Sequence, residues 1–290
     1  MTNEIEVVTY PASLDINAFL DEPEPDYNWL IPGIMERGER LILTGREGKG
    51  KSTLFRQIAV QCARGIHPFT LEPMPPLRVL YIDLENPRST VRREFRKWTT
   101  VRPEVGFLEI TMWPEGLDLS EKSEQKMLAA HIKEHMPELL MIGPMYKLAP
   151  RLTNEDDSAA LAHFIDLLRK ALSFTLMIES HQPHESIVDG ERYRVERPIG
   201  SSLWMRWPEF GFCLEDNGTL RPWRGSRDDT RIWPQKLVRG GEWPWSLDTE
   251  KRHCAMCGEE LTGSQVKYCS DGCANAGRQR DFRAKKRAGG

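Results

Sequence analysis

The sequence reads Arg40-Leu41-Ile42-Leu43-Thr44-Gly45-Arg46-Glu47-Gly48-Lys49-Gly50-Lys51-Ser52 near its beginning, and this stretch decides the fold. Its first five residues are apolar enough for a buried strand, and three glycines follow. Beyond Ser52, apolar residues recur at helical spacing until Gly65, a residue typical of a helix end: Leu54, Phe55, Ile58, Ala59 and Cys62. The stretch therefore predicts a strand, a glycine-rich turn and a helix in direct succession.

The turn satisfies the pattern G-x-x-x-x-G-K-S in the strand-to-helix context that gives this pattern its meaning. Glycines let successive backbone N–H groups turn toward phosphate oxygens, and the following helix presents its positive end. We expect Lys51 to reach the β- and γ-phosphates and Ser52 to ligate Mg²⁺. The alternative is a glycine turn without a nucleotide. The predicted ATP site comprises Gly45, Arg46, Glu47, Gly48, Lys49, Gly50, Lys51, Ser52 and Thr53.

The rest of the chain alternates short apolar runs with amphipathic stretches, the pattern expected when crossover helices join parallel strands. The sequence predicts an α/β fold with a mainly parallel central sheet flanked by helices. Residues 182–199 are polar and aperiodic, which predicts a long mobile loop, and Asn217-Gly218 predicts a terminal hairpin. Further strands are predicted at 79–82, 139–142 and 175–178.

Bulk properties limit the class of protein. The 290 residues have a net charge of −3 and are 39% hydrophobic, without an apolar run long enough for a membrane span. The acidic N-terminus does not resemble an export signal, so we expect a cytoplasmic protein that binds no membrane. We predict an acidic flexible arm at 1–28, an ATPase domain at 29–245 and a small module at 246–290. The run 233–245, rich in tryptophan and proline, has no strand or helix period.

Four of the six cysteines cluster near the C-terminus. Two pairs, Cys254-x2-Cys257 and Cys269-x3-Cys273, are separated by eleven residues, a spacing that suits structural zinc in a zinc-ribbon or treble-clef finger. A helix predicted from Cys273 onward carries basic residues for phosphate contacts with DNA, although a solvated charged tail remains the alternative. These residues are Arg278, Arg280, Arg283, Lys285, Lys286 and Arg287.

Residues 29–231 resemble the RecA-like P-loop ATPases related to RepA-type hexameric replicative helicases of phage, plasmid and actinobacterial genomes. The resemblance rests on Pro32-Gly33, the glycine-rich turn, residues 81–85, His181 and residues 200–202. It implies ATP hydrolysis coupled to DNA replication or recombination, a hexameric ring, and a bacterial or phage-infected cell.

The same resemblance implies roles for residues outside the glycine-rich turn. Glu85 corresponds to the carboxylate that polarises the attacking water, and Asp83 beside it is a predicted cofactor-binding residue. His181 corresponds to a γ-phosphate sensor. Arg224 and Arg227 correspond to arginines inserted into a neighbouring subunit's site. The alternatives are a helix-capping carboxylate for Glu85, a strand-end histidine without a role, and ordinary surface arginines.

Gly143 departs from the family pattern, because it stands where the Walker B aspartate holds the water ligands of Mg²⁺. Loss of such a contact typically costs about tenfold to a hundredfold in metal affinity or activity. We therefore expect slow hydrolysis unless Asp83, Glu85 or Glu179 replaces it.

Two functions follow as hypotheses, and a third is disfavoured. The first is a ring-forming motor on single-stranded DNA, a helicase or translocase whose loop after His181 faces the DNA and which works with other replication or recombination proteins. The second is a nucleotide-gated DNA-binding protein, helicase loader or recombination mediator with little turnover. A small-molecule kinase is disfavoured because of the basic four-cysteine module.

Overall fold

The protein was analysed as a computed structural model. It describes residues 13–23, 26–97, 99, 102–104, 106–148, 155–183, 186–188, 191–193, 198–225, 231–248, 254, 256–259, 268–270, 272–277 and 279–280.

Helices and strands alternate along most of the chain, as the sequence predicts. In chain order the elements are α1 (Ile16–Leu20), β1 (Trp29–Ile31), β2 (Met35–Glu36), β3 (Arg40–Gly45), α2 (Lys51–Ala63), β4 (Val79–Asp83), α3 (Arg88–Arg96), β5 (Leu108–Met112), α4 (Lys122–His135), β6 (Leu139–Gly143), α5 (Glu155–Leu172), β7 (Thr175–Glu179), β8 (Ser186–Val188), β9 (Glu191–Tyr193), β10 (Phe210–Leu214), β11 (Leu220–Arg224), β12 (Leu237–Arg239) and β13 (Trp245–Leu247).

A seven-stranded sheet forms the centre of the molecule, in the order β11-β10-β3-β7-β6-β4-β5. Every neighbouring pair is parallel except β10 and β11, which form the predicted hairpin at one edge. The carboxyl ends of the parallel strands therefore lie along one edge of the sheet, which is where α/β proteins bind ligands. The predicted α/β fold, with a mainly parallel central sheet flanked by helices, is confirmed.

Successive residues of the central strands face opposite sides of the sheet, and each side is covered by a separate hydrophobic core. Leu41 and Leu43 of β3 pack with α2 and α3, whereas Ile42 packs with α4 and α5. The strands read as continuous apolar runs because both faces are buried. This three-layer arrangement fixes the position of β3 and α2, and therefore of the turn between them.

The structure corrects two sequence-based expectations and adds two elements to them. Residues 182–199 are not wholly irregular, because β8 and β9 pair antiparallel within them. Helix α3 begins at Arg88 after Pro87, and no side chain caps it, so the alternative of a helix-capping carboxylate at Glu85 does not hold. Strand β5 and helix α4 were not predicted from the sequence.

The tryptophan- and proline-rich run also forms unpredicted structure, since β12 and β13 pair antiparallel. Trp243 and Trp245 are buried in the same core as α2. Strand β13 extends to Leu247, so ordered structure continues two residues past the predicted boundary at residue 245.

The predicted N-terminal arm contains the short helix α1, which buries none of its residues. Residues 1–12 of the arm lie outside the described part of the chain. Among the described residues, no helix combines the length and apolarity that crossing a membrane requires.

Candidate nucleotide site

The turn between β3 and α2 has the backbone form that its glycines permit. Gly50 precedes α2 in a left-handed conformation with φ of 91°, which costs glycine little. A Cβ atom at Gly50 would also lie 2.8 Å from a guanidinium nitrogen of Arg239. Glycine at position 50 therefore suits both the backbone conformation and the space beside Arg239.

Lys51 is buried at the start of α2, with 3% of its surface exposed. Its ammonium donates a hydrogen bond of 3.0 Å to the backbone carbonyl of Arg46, within the same turn. Burial lowers the pKa of Lys51, and the charges of Glu179 and Glu47 oppose this shift. The ammonium thus lies inside the glycine-rich turn, where a phosphate group would meet it.

Ser52, the predicted magnesium ligand, donates a hydrogen bond of 2.7 Å to the carboxylate of Glu179. Glu179 ends β7 and is 6% exposed. Burial raises its pKa, while Lys51, the Ser52 hydroxyl and Arg56 act in the opposite direction. A lysine, a serine hydroxyl and a carboxylate are therefore adjacent, and this donor set fits a magnesium-bound triphosphate.

Asp83 lies near the same edge of the sheet, but its carboxylate is held by protein groups. It forms a buried ion pair of 2.9 Å with Arg56, and it accepts hydrogen bonds from the backbone N–H groups of Glu85 and Asn86. These contacts give Asp83 a structural explanation, so its cofactor-binding role stays a prediction.

Glu85 and His181 are brought together by Tyr146, a residue that the sequence analysis missed. The Tyr146 hydroxyl donates to Glu85 at 3.1 Å, and its ring lies 5.5 Å from the His181 ring. Burial and the neighbouring Lys51 charge lower the pKa of His181. Among the described residues, Nδ1 of His181 has no hydrogen-bond partner. The position of Tyr146 just after strand β6 was the available sequence signal.

A cavity of about 340 Å³ adjoins the outer side of the glycine-rich turn. Lys49 forms an ion pair of 2.9 Å with Asp216, in the turn between β10 and β11, and Arg46 lies 3.5 Å from the same carboxylate. Lys49 and Arg46 lower the pKa of Asp216. The residues lining the cavity are Arg46, Gln182, Cys213, Leu214, Glu215, Asp216 and Asn217.

The β12–β13 hairpin packs against the glycine-rich turn and forms hydrogen bonds to it. Trp245 exchanges two backbone hydrogen bonds with the Gln57 side chain, of 2.7 and 2.8 Å, and its ring N–H donates to the carbonyl of Gly50 at 3.1 Å. Arg239 lies over the Trp245 ring and donates to the carbonyl of Lys49 at 2.6 Å. Nothing in the aperiodic sequence of this run signalled these contacts.

Arg224 is not part of this site within one chain. Arg224 pairs with Gly211 near the start of β10, whereas the glycine-rich turn lies beside Leu214 at its end. Its guanidinium donates to the carbonyl of Pro208 at 3.2 Å. Arg227 lies outside the described residues. A role for either arginine in a neighbouring subunit stays a prediction.

The four clustered cysteines form a second site. Their sulfur atoms all lie within 4.8 Å of one another, close to the ~3.8 Å separation expected for tetrahedral zinc with bonds of about 2.3 Å. Four thiolates suit a closed, structural zinc site. Residues 272–277 and 279–280 are helical, as predicted, whereas Arg278, Arg283, Lys285, Lys286 and Arg287 lie outside the described residues.

The fold and the first site define an ATP-binding P-loop ATPase. The family model described as an AAA domain matches residues 7–186, and the chain belongs to this family. An aliphatic sulfonates import ATP-binding protein of Paraburkholderia xenovorans is 30% identical over 173 residues, which cover 54% of this chain and 49% of that protein. The chain thus spans about half the length of this relative.

Among solved structures, the chain is similar to a KaiC-like protein of Pyrococcus horikoshii. The sequence identity is 15% and the TM-score is 0.48, and the match covers 77% of this chain and 95% of that chain.

Proposed function

We propose that this chain is an ATP-hydrolysing motor on DNA, a replicative-type helicase or translocase that works as a homo-oligomeric ring, with six subunits as the expected number. The observation that carries the proposal is the combination of a P-loop site with a four-cysteine cluster in one chain. Cysteine clusters with adjacent basic residues are typical of nucleic-acid-binding modules. The hairpin β8–β9 follows β7 at the edge of the sheet that carries the site, where a DNA-contacting loop would sense the nucleotide.

Each residue of the nucleotide site has its own role in the proposed hydrolysis of ATP. The glycine-rich turn and Lys51 would bind the triphosphate, and Ser52 would hold Mg²⁺, which neutralises charge on the β- and γ-phosphates. Glu85 would orient and deprotonate water, and Tyr146 holds its carboxylate beside His181. His181, two residues after the end of β7, would relay the state of the γ-phosphate to the hairpin. Arg224 or Arg227 would serve the neighbouring subunit.

The test is the ATPase rate with and without single-stranded DNA, together with the molecular mass in solution. We expect DNA to raise turnover and Lys51→Ala to abolish it, because the buried ammonium is lost from the phosphate-binding turn. Lys97→Ala is the matched control, since the Lys97 side chain is 62% exposed and pairs with Glu94 at the end of helix α3. Turnover that no nucleic acid changes would contradict the motor.

A nucleotide-gated DNA-binding protein or loader is the second candidate, favoured by the glycine at position 143. In this case DNA affinity would change with bound ATP while hydrolysis stays negligible. Fluorescence anisotropy of labelled DNA, with ATP and with a non-hydrolysable analogue, separates the two functions. Equal effects of both nucleotides without turnover would favour the loader.

A further inference from the structure

The carboxyl ends of β4, β6 and β7 place three residues side by side. Asp83 pairs with Gly143, and β6 runs parallel to β7, so that Gly143 lies next to Glu179. A Cβ atom built on Gly143 would lie 2.7 Å from Cβ of Glu179. Real Cβ atoms do not approach so closely, so Gly143 and the present position of Glu179 are linked sterically.

Glu179 makes the contact that the missing β6 carboxylate would be expected to make. Its Oε1 atom accepts the hydroxyl proton of Ser52 at 2.7 Å, across 127 residues of sequence. The alternatives are occupied elsewhere, since Asp83 is paired with Arg56 and Glu85 is exposed and bonded to Tyr146. Lys51 and Arg56 provide the positive charge that a buried carboxylate requires.

We infer that Glu179 on strand β7 takes the place of the β6 aspartate as the acidic positioning residue at the magnesium site, where it orients the Ser52 hydroxyl. Position 143 is glycine because a side chain there would collide with the Cβ atom at position 179. This inference rests on the proposed nucleotide site, but it does not depend on DNA. If Glu179 compensates for the missing β6 aspartate, ATP hydrolysis is no longer expected to be slow.

The decisive variant is Glu179→Gln, which keeps the shape of the side chain and removes its charge. We expect the gain in ATP affinity that Mg²⁺ produces to fall about tenfold to a hundredfold, while ATP affinity without a divalent cation is unchanged or higher. Titration calorimetry with ATP, in Mg²⁺ and in chelator, measures both. Mn²⁺ binding followed by its electron paramagnetic resonance signal gives a readout that is independent of ATP hydrolysis.

The matched control is Glu209→Gln, the same change in a carboxylate that pairs with Arg40 at the opposite end of the sheet. It should leave the effect of Mg²⁺ intact. The inference is overturned if Glu179→Gln keeps the full magnesium effect. If Mg²⁺ raises the ATP affinity of the wild-type protein and Glu179→Gln loses this effect, but DNA does not change ATP turnover, the motor proposal fails and the Glu179 assignment stands. If folded wild-type protein binds no ATP, both fail.

The steric half of the inference has its own test. Gly143→Ala should lower the melting temperature by a few degrees in the wild-type background, because its methyl group meets Cβ of Glu179. The same change in a Glu179→Gly background should cost less, since that Cβ is gone, whereas a Glu179→Ala background retains it. Equal losses in all three backgrounds would show that Cβ of Glu179 does not restrict position 143, because the backbone N and O atoms of Glu179, at 3.2 and 3.1 Å, are present in every background.

Discussion

Asp83 and Arg56 form an ion pair that solvent barely reaches, with side-chain exposures of 3% and 6%. Removing one partner of such a pair leaves an uncompensated buried charge and typically costs about 3–5 kcal/mol. We therefore expect Asp83→Asn to lower the free energy of unfolding by about that amount, as measured by urea denaturation. Glu94→Gln, which breaks the exposed pair with Lys97, should cost about 0–1 kcal/mol. A small cost at Asp83, together with lost ATP affinity, would instead assign Asp83 to the nucleotide.

Individual residues could be predicted from the sequence where function depends on neighbours along the chain. The glycine-rich turn and the paired cysteines are local patterns, and each forms the cluster that its spacing predicts. The partnership of Ser52 with Glu179 could not be predicted in this way, because it depends on which strands are adjacent. The contacts of Tyr146 with Glu85 and His181 could not be predicted either, because they also depend on which strands are adjacent in the sheet.

At the scale of elements, the sheet strands followed from continuous apolar runs, whereas β12 and β13 did not. Each of these two strands has three residues, and the segment between them contains a pair of glycines and one proline, so no periodicity is visible. Strand β5 had a usable signal, because Leu108, Ile110 and Met112 alternate with polar residues. The pairing of β10 with β3 is a tertiary feature that local patterns do not encode.

The β12–β13 hairpin should influence nucleotide binding, because Trp245 and Arg239 bond to carbonyls of the glycine-rich turn. Trp245→Ala should cost about 3–5 kcal/mol of stability and weaken ATP binding by the remaining folded protein. Trp245→Phe retains a ring and should cost less on both measures. Trp204→Ala, in the core on the opposite face of the sheet, is the control for destabilisation alone. Equal ATP affinity in folded Trp204→Ala and Trp245→Ala protein would show that the hairpin does not support the turn.

On the scale of the whole molecule, the ATPase core and the cysteine cluster obtain their stability from different sources. The core buries apolar residues on both faces of a seven-stranded sheet, whereas a short segment with four thiols depends on metal coordination. Removal of zinc by a chelator should therefore unfold the cysteine segment and reduce DNA affinity, while the melting transition and ATP affinity of the core persist. Zinc content, calorimetric melting and ATP titration before and after chelation measure these effects.

Cys257→Ser should reproduce them without a chelator, and Cys62→Ser, in a buried position of α2, should keep the zinc. A core transition that moves with zinc content would mean that the cluster is part of the core's folding unit, and chelation would then also reduce ATP binding.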